Sequence, residues 1–246
     1  MSLQMDKSRT YEDIFNHRGS LYDRAMQGSP KARQREFEYL FSATPLSGNE
    51  SVLDIPAGGG YLQAFVPAGV TVKGLEISDG FHGEPSVVPT FGDWQVGKFS
   101  RGVCLAASHH MEDKPRFLKK LSEHIEPNGY IHVADVVSGS KESVFLDGFI
   151  GQFNETGHQG MYLTDNSGEI AEQAGLQLMR DEIRDASWHF HSLTEALGFA
   201  TLLFGVTGCP QDRLMQMMTA LLGMHPQGDL WIVPWHLRYL DFRVSS

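Results

Sequence analysis

The chain predicts an α/β fold, doubly wound around a mostly parallel sheet, and three observations predict it. Short apolar runs bounded by breakers recur with helical stretches between them, the order that a parallel sheet requires. Asp54 interrupts the run Val52 to Ile55 near its C-terminal end, and Glu76 closes the run Val70 to Leu75. Such sheets keep their ligand crevice at that edge of their strands. Between the two runs, Gly58, Gly59 and Gly60 open a short helical stretch from Tyr61 to Val66.

At 246 residues the chain is expected to be one domain, residues 1–246, with a large core. Lys and Arg number 20 against 30 Asp and Glu, a net charge of −10, which argues against DNA or RNA as partner. Cys104 lies in an apolar run and Cys209 precedes a proline, so neither has metal-site or disulfide spacing. A reducing, cytoplasmic setting is the simple reading. No secretory leader pattern and no apolar run near 18 residues is seen, so no membrane partner is expected. A homodimer is admitted but not required.

Residues 5–45 read as helices that precede the sheet, within an N-terminal cap over 1–48. Ile14, Phe15, Leu21, Tyr22 and Met26 form one apolar set, and Ala32, Phe37, Leu40 and Phe41 another. Gly28-Ser29-Pro30 separates them, with Pro30 suited to a helix start. The stretch from Thr44 to Asn49 is a linker by composition.

The glycine loop narrows the ligand. Counting from Gly58, the third glycine of a dinucleotide fingerprint falls on Gln63, and Gly60-Tyr61-Leu62 stands where a phosphate loop has Gly-Lys-Ser/Thr. The loop has no Lys or Arg, an acid precedes it, and Glu76 follows Asp54 by 22 residues. That is about the 20-residue spacing at which a strand-end carboxylate meets a ribose hydroxyl. A ligand with an ammonium, a carboxylate and a ribose but no phosphate fits, and S-adenosylmethionine has those groups.

With Asp54, Gly58 and Gly60 in the pattern D-x-G-x-G-x-G, the stretch resembles motif I of class I S-adenosylmethionine-dependent methyltransferases. Pro56 replaces the first glycine, and Ala57 sits where Cys or Ala is usual. The resemblance, in register from about Ser51 to Asp135, implies a Rossmann-like, seven-stranded sheet with an antiparallel edge strand. It implies S-adenosylmethionine as cofactor. Asp54, Pro56, Ala57, Gly58 and Gly60 would hold the methionine end, and Glu76 and Ile77 the ribose. Asp93 and Trp94 would meet the adenine, and Ala107 and Ser108 are further cofactor-binding candidates. N-terminal helices cover cofactor and substrate in this family, so Tyr11, His17, Arg18 and Tyr22 are lid candidates, Arg18 and Tyr22 toward the cofactor.

Downstream, Ser78 to Pro85 is rich in breakers where the family has a helix, so that crossover is expected to be a loop. Val87-Val88 and Thr90-Phe91 read as a short strand leading to Gly92-Asp93-Trp94. Arg101 to Ala107 reads as the central strand, Pro115 to His124 as a helix and Tyr130 to Asp135 as the fifth strand. Five glycines among scattered aromatics mark 138–168 as an inserted lid over the crevice. Glu169 to Ala174 is a helix closed by Gly175, and Leu176 to Ile183 a strand. Ser192 and Glu195 form a capping box for a helix to about Leu203, and Asp212 to Leu222 is a further helix. Leu230 to Val244 reads as the last strand, antiparallel to 176–183.

Methyl transfer is an in-line displacement dominated by positioning. An acceptor that must lose a proton also needs a base, most often His. His110 and His109, at the carboxyl edge after the central strand, are the candidates, with His17 and His158 as further options. The Asp/Asn cluster of the family's metal-dependent members does not follow Asp135, so no metal ligand is expected. A small organic acceptor is the expected substrate. A methyltransferase-like binding or accessory protein without turnover is the alternative.

Overall fold

The computed structural model describes residues 10–245. Two helices, α1 (Tyr11–Gly28) and α2 (Gln34–Leu40), come first. The sheet strands follow in chain order as β1 (Ser51–Asp54), β2 (Thr71–Glu76), β3 (Ser86–Val87), β4 (Phe99–Leu105) and β5 (Ile125–Asp135). Helix α3 (Lys114–Ser122) connects β4 to β5. The insertion after β5 carries a helix whose ends are α4 (Lys141–Ser143) and α5 (Gly151–Phe153), with π turns over Val144–Ile150 between them. Then come α6 (Ser167–Ala174), β6 (Leu176–Asp185), β7 (Trp188–Phe190), α7 (Leu193–Leu203) and α8 (Gln211–Met217). The chain ends in β8 (His225–Gln227), β9 (Leu230–Val233) and β10 (His236–Val244).

Seven strands form one sheet in the order β3-β2-β1-β4-β5-β10-β6. The first five are parallel, and β10 runs antiparallel to both β5 and β6. The antiparallel strand thus lies one place in from the edge, and β6 takes the edge. The order reverses between β1 and β4, which fixes the crevice at the ends of these two strands. Strand β1 is buried on both faces, as a central parallel strand must be. Val52 joins the core under α2 and α7, and Leu53 the core under α3 and α6.

The termini of the helices follow their local chemistry. Thr10 and Asp13 cap α1 reciprocally, Asp113 accepts from the Arg116 amide at the start of α3, and Ser192 accepts from the Glu195 amide at the start of α7. Gly175, at φ 71°, closes α6.

Several elements differ from the sequence reading. Tyr61–Phe65 winds as a 3₁₀ helix, and Pro30 opens a turn rather than α2 itself. Thr90 and Phe91 lie outside β3, which pairs with β2 only through Ser86 and Val87. The run Leu230 to Val244 is broken at Pro234-Trp235, where proline has no N–H for a ladder. Its first part, β9, pairs with β7 and β8 in a separate three-stranded sheet. Residues 5–9 of the expected N-terminal helices lie outside the described residues.

Candidate functional site

The ends of β1 and β2 bring two carboxylates together. Glu76 is 1% exposed and accepts from the amides of Gly58 (2.6 Å), Ile77 (2.8 Å) and Ser78 (3.0 Å) and from the Tyr11 hydroxyl (3.3 Å). Burial pushes its carboxyl up to about 7 against those four bonds. Asp54 is buried, receives no hydrogen bond among the described residues, and is pushed well above the usual carboxylate range by burial and then by Glu76. The glycine loop turns at Gly58 and Gly60, whose φ of 56° and 82° lie in the left-handed region.

Asp54, Pro56, Ala57, Gly58 and Ala107 wall a cavity of about 40 Å³. Its roof is α1, which contributes Tyr11, Phe15 and Tyr22. Asp23 holds the roof down by accepting from the Tyr61 hydroxyl and the His82 amide. Gly19 meets the 78–83 loop so closely that a Cβ there would lie 2.6 Å from the backbone of Gly80. About 40 Å³ is room for a water or two, far less than a nucleoside-sized ligand fills, with α1 as the roof. An open cleft of about 820 Å³, lined by Ile77, Phe91 and Met111, shares Tyr11 with this cavity.

The two adenine candidates lie elsewhere. Trp94 is fully buried in the core, stacks on His124 at 5.2 Å and donates through Nε1 to the Pro89 carbonyl at 2.9 Å. Asp93 is exposed and accepts from the Gln95 side chain. Neither lines the cavity or the cleft. Without a strand over Thr90 and Phe91, the Gly92-Asp93-Trp94 turn swings its tryptophan inward against α3. Ser108 likewise faces inward, donating to Asp135 at 2.6 Å. His17 is exposed and bonds the Asp13 carbonyl within its own helix.

A second cavity, of about 50 Å³, adjoins the first and shares the wall of Phe15, Tyr22, Arg33 and Ala106. Ala106 sits at φ 51°, a conformation L residues rarely adopt, at the point where β4 gives way to the crevice. The cavity holds His109, His110 and His158 together with Arg18. The Nδ1 of His109 lies 2.7 Å from Asp135 Oδ1, and that of His158 lies 2.8 Å from Asp147 Oδ1. Each carboxylate therefore fixes a tautomer that leaves the Nε2 lone pair free. Asp135 also accepts from the amides of His109 and Val136. Burial would raise Asp135, but the His109 ring and these hydrogen bonds hold it below the usual range.

Burial, then His109 and His158, hold His110 well below the ordinary imidazole value, and its Nε2 is buried without a partner. Burial, with His109 and Arg18, holds His158 down to about 4 in spite of Asp147. Both rings are neutral at pH 7. One ring nitrogen from each of the three histidines lies within 4.8 Å of the others, a convergence the sequence reading did not expect. Arg18 lines this cavity and not the first, whereas Tyr22 lines both.

Of the residues predicted for the site, Asp54, Pro56, Ala57, Gly58, Glu76, Ala107 and Tyr22 meet at or beside the first cavity. Gly60 faces an outer groove beside Asp54, and Ile77 the open cleft. His109, His110 and Arg18 meet in the second. Sequence reasoning missed Asp147, Tyr162 and the wall of Trp188 and Trp235. These come from the insertion and from β7 to β10, where no short motif marks them. The pairing of Asp135 with His109 was open to view as a strand-end acid beside a His-His loop.

No family model matches the chain, and no curated protein matches it in sequence. Solved structures match it in fold. The 4+2 cyclase SpnF superposes with a TM-score of 0.62 at 12% identity, over 97% of both chains. Phosphoethanolamine N-methyltransferase 2 of Haemonchus contortus, solved with phosphomonomethylethanolamine and S-adenosylhomocysteine, gives a TM-score of 0.60 at 13% identity, over 98% of this chain and 61% of that one. Magnesium protoporphyrin IX methyltransferase of Synechocystis, with bound S-adenosylhomocysteine, gives 0.53 at 14% identity, over 95% of this chain and 97% of that one. Likeness at these identities is likeness of fold, and the chain shares the Rossmann-like fold of these structures, one a cyclase and two methyltransferases, over nearly its whole length.

Proposed function

We propose that this chain is an S-adenosylmethionine-dependent methyltransferase acting on a small organic acceptor. One observation carries the reading: Asp54 and Glu76, both buried and both pushed up in pKa, share a glycine-turned wall at the switch point. Buried acids without a cation call for a ligand that brings donors and positive charge. Asp54, lacking any protein donor, fits an ammonium. Glu76 fits a ribose diol, with Ile77 beyond it in the cleft. Ala57, Gly58 and Gly60 allow the backbone to approach, and Phe15 and Tyr22 close the roof and exclude water. Bound there, the cofactor supplies an electrophilic sulfonium methyl, and the transfer itself calls on no metal.

On the acceptor side, His109 Nε2 takes the proton of the acceptor, and Asp135 holds the ring in the tautomer that can do so. His110, whose Nε2 has no partner, lies beside it and offers a second contact. A cytoplasmic setting is supported by Cys104 and Cys209, both free. Among the described residues, no helix is long and apolar enough to cross a membrane.

A second reading, a methyltransferase-like binding or accessory protein that keeps the fold without turnover and without this cofactor, is favoured by a different observation. All four bonds to Glu76 already come from the chain itself. Calorimetry with S-adenosylmethionine and S-adenosylhomocysteine, and NAD as control, separates them. Micromolar binding of both, weakened by about 1–3 kcal/mol in Glu76→Ala, supports the first reading. Binding of neither removes the cofactor and leaves the second.

A further inference from the structure

The two cavities differ in charge. No aspartate or glutamate is among the described residues that line the second, yet Arg18 lies in its wall and is 7% exposed. Its Nε has no partner, its Nη1 reaches only the Phe204 carbonyl at 3.3 Å, and its plane covers the Phe15 ring at 4.8 Å. Among the described residues no carboxylate lies within ion-pair reach of it. Arg33, the other cation in that wall, is neutralised by Glu36. A buried guanidinium without an anion is costly, and a ligand that supplies one removes the cost.

We propose that the second cavity binds a carboxylate-bearing, apolar or aromatic acceptor, with Arg18 as counter-ion. A carboxylate matches the single uncompensated charge and the planar fork of the guanidinium. Trp188, Phe204 and Trp235 receive the apolar body, and the Nε2 of His109 receives a proton from the opposite end. A divalent cation on the three histidines is the competing occupant. Their nitrogens, within 4.8 Å of one another, would have to close to roughly 3.3 Å around a tetrahedral ion bound at about 2.0–2.1 Å. That ion would also share the cavity with Arg18, which nothing neutralises. At about 50 Å³ the cavity admits an acid only as α1 lifts, and Arg18 rides on α1, so the anion ties the helix back down.

The ligand's role as acceptor rests on the methyltransferase reading, but its chemistry does not. The test is calorimetry on the full chain, with and without saturating S-adenosylhomocysteine. The probes are benzoate, phenylacetate, 3-phenylpropionate and indole-3-acetate, each beside its primary amide. The expected result is that at least one acid binds about tenfold or more tightly than its amide. Arg18→Gln should bring that ratio to about one, and Arg18→Lys should keep part of it. S-adenosylhomocysteine affinity should stay within about twofold in both variants. Should Arg18→Gln fail to fold, the acid-to-amide ratio of the unaltered protein decides.

The proposal is overturned if no acid outbinds its amide, or if the ratio survives in a folded Arg18→Gln. It is overturned if S-adenosylhomocysteine loses about tenfold in Arg18→Gln, which would give Arg18 to the methionine carboxylate. Micromolar Zn²⁺ binding that disappears in His158→Ala also overturns it, by giving the cavity to a cation. If S-adenosylhomocysteine never binds while the acid ratio holds, the methyltransferase reading fails and the anion site stands.

Discussion

Glu76→Gln tests the electrostatics of the first cavity most directly. Burial holds the carboxyl at about 7 in the folded chain, against an ordinary value of 4.5. A folded-state pKa raised in this way stabilises the protein below pH 4.5, and the contribution is lost as the pH rises toward 7. At 1.36 kcal/mol per unit, the loss is about 3 kcal/mol. The glutamine variant has no titrating group at this position. It also turns an amino group toward backbone amides that now find an oxygen, which costs about 1–3 kcal/mol at every pH. The stability of Glu76→Gln relative to the unaltered chain should therefore improve by about 3 kcal/mol between pH 4 and pH 8. The assay is urea unfolding at unit steps of pH, where only the difference matters and other titrating groups cancel. A difference that stays flat would mean that the four donors keep Glu76 ionised throughout. The buried-acid argument for the cofactor would then fail with it.

Three further outcomes are expected. Asp135→Asn should cost about 1–3 kcal/mol in unfolding, because it turns an amide NH2 toward buried donors of Ser108 and His109. Since the folded pKa of Asp135 is depressed, its stabilisation is present above the ordinary carboxylate range and lost as the pH falls through the folded value, so the variant should lack that acid limb. Gly19→Ala drives a Cβ into the Gly80 backbone, and should cost about 1–3 kcal/mol and increase amide exchange in the 78–83 loop. Tyr11→Phe removes the weakest bond to Glu76, at 3.3 Å. It should cost about 0.5–1.5 kcal/mol of stability while tightening S-adenosylmethionine binding in calorimetry, since it leaves Oε2 with the Gly58 amide alone and one acceptor position open to the ribose.

The sheet was legible because its central strands are short, β-branched apolar runs bounded by breakers, from Val52 to Ile55 and from Val103 to Leu105. The Asp54 to Glu76 spacing located the crevice for the same reason: strand ends in a parallel sheet are fixed by where the apolar run stops. Trp94 was misread because the motif gives its position in the chain but not the direction of its side chain. Only the loss of the strand after Val87 turns it into the core. The histidine cluster joins three positions through the insertion, and π turns at Val144–Ile150 leave no periodic trace of the face that carries Asp147. Contacts made at long sequence separation by loops have no local signature, which is why His158 could be named as an option but not placed.

The separation of charge between the two cavities links these readings. Asp54 stands on one side of the wall formed by Phe15, Tyr22 and Ala106, with Glu76 behind the glycine loop, and among the described residues neither has an ion-pair partner. Arg18 stands on the other with no acid. Pairing each group inside the protein would have taken one residue on either side, and among the described residues the fold instead leaves Asp54 and Arg18 without a partner of opposite charge. A cationic donor on the acid side and an anionic acceptor on the arginine side would neutralise both at once. They would also bring the two ligands against the same strained residue, Ala106, at the end of β4. Each ligand would bury its charge only beneath α1, which supplies Tyr11 to one cavity, Arg18 to the other and Phe15 to both.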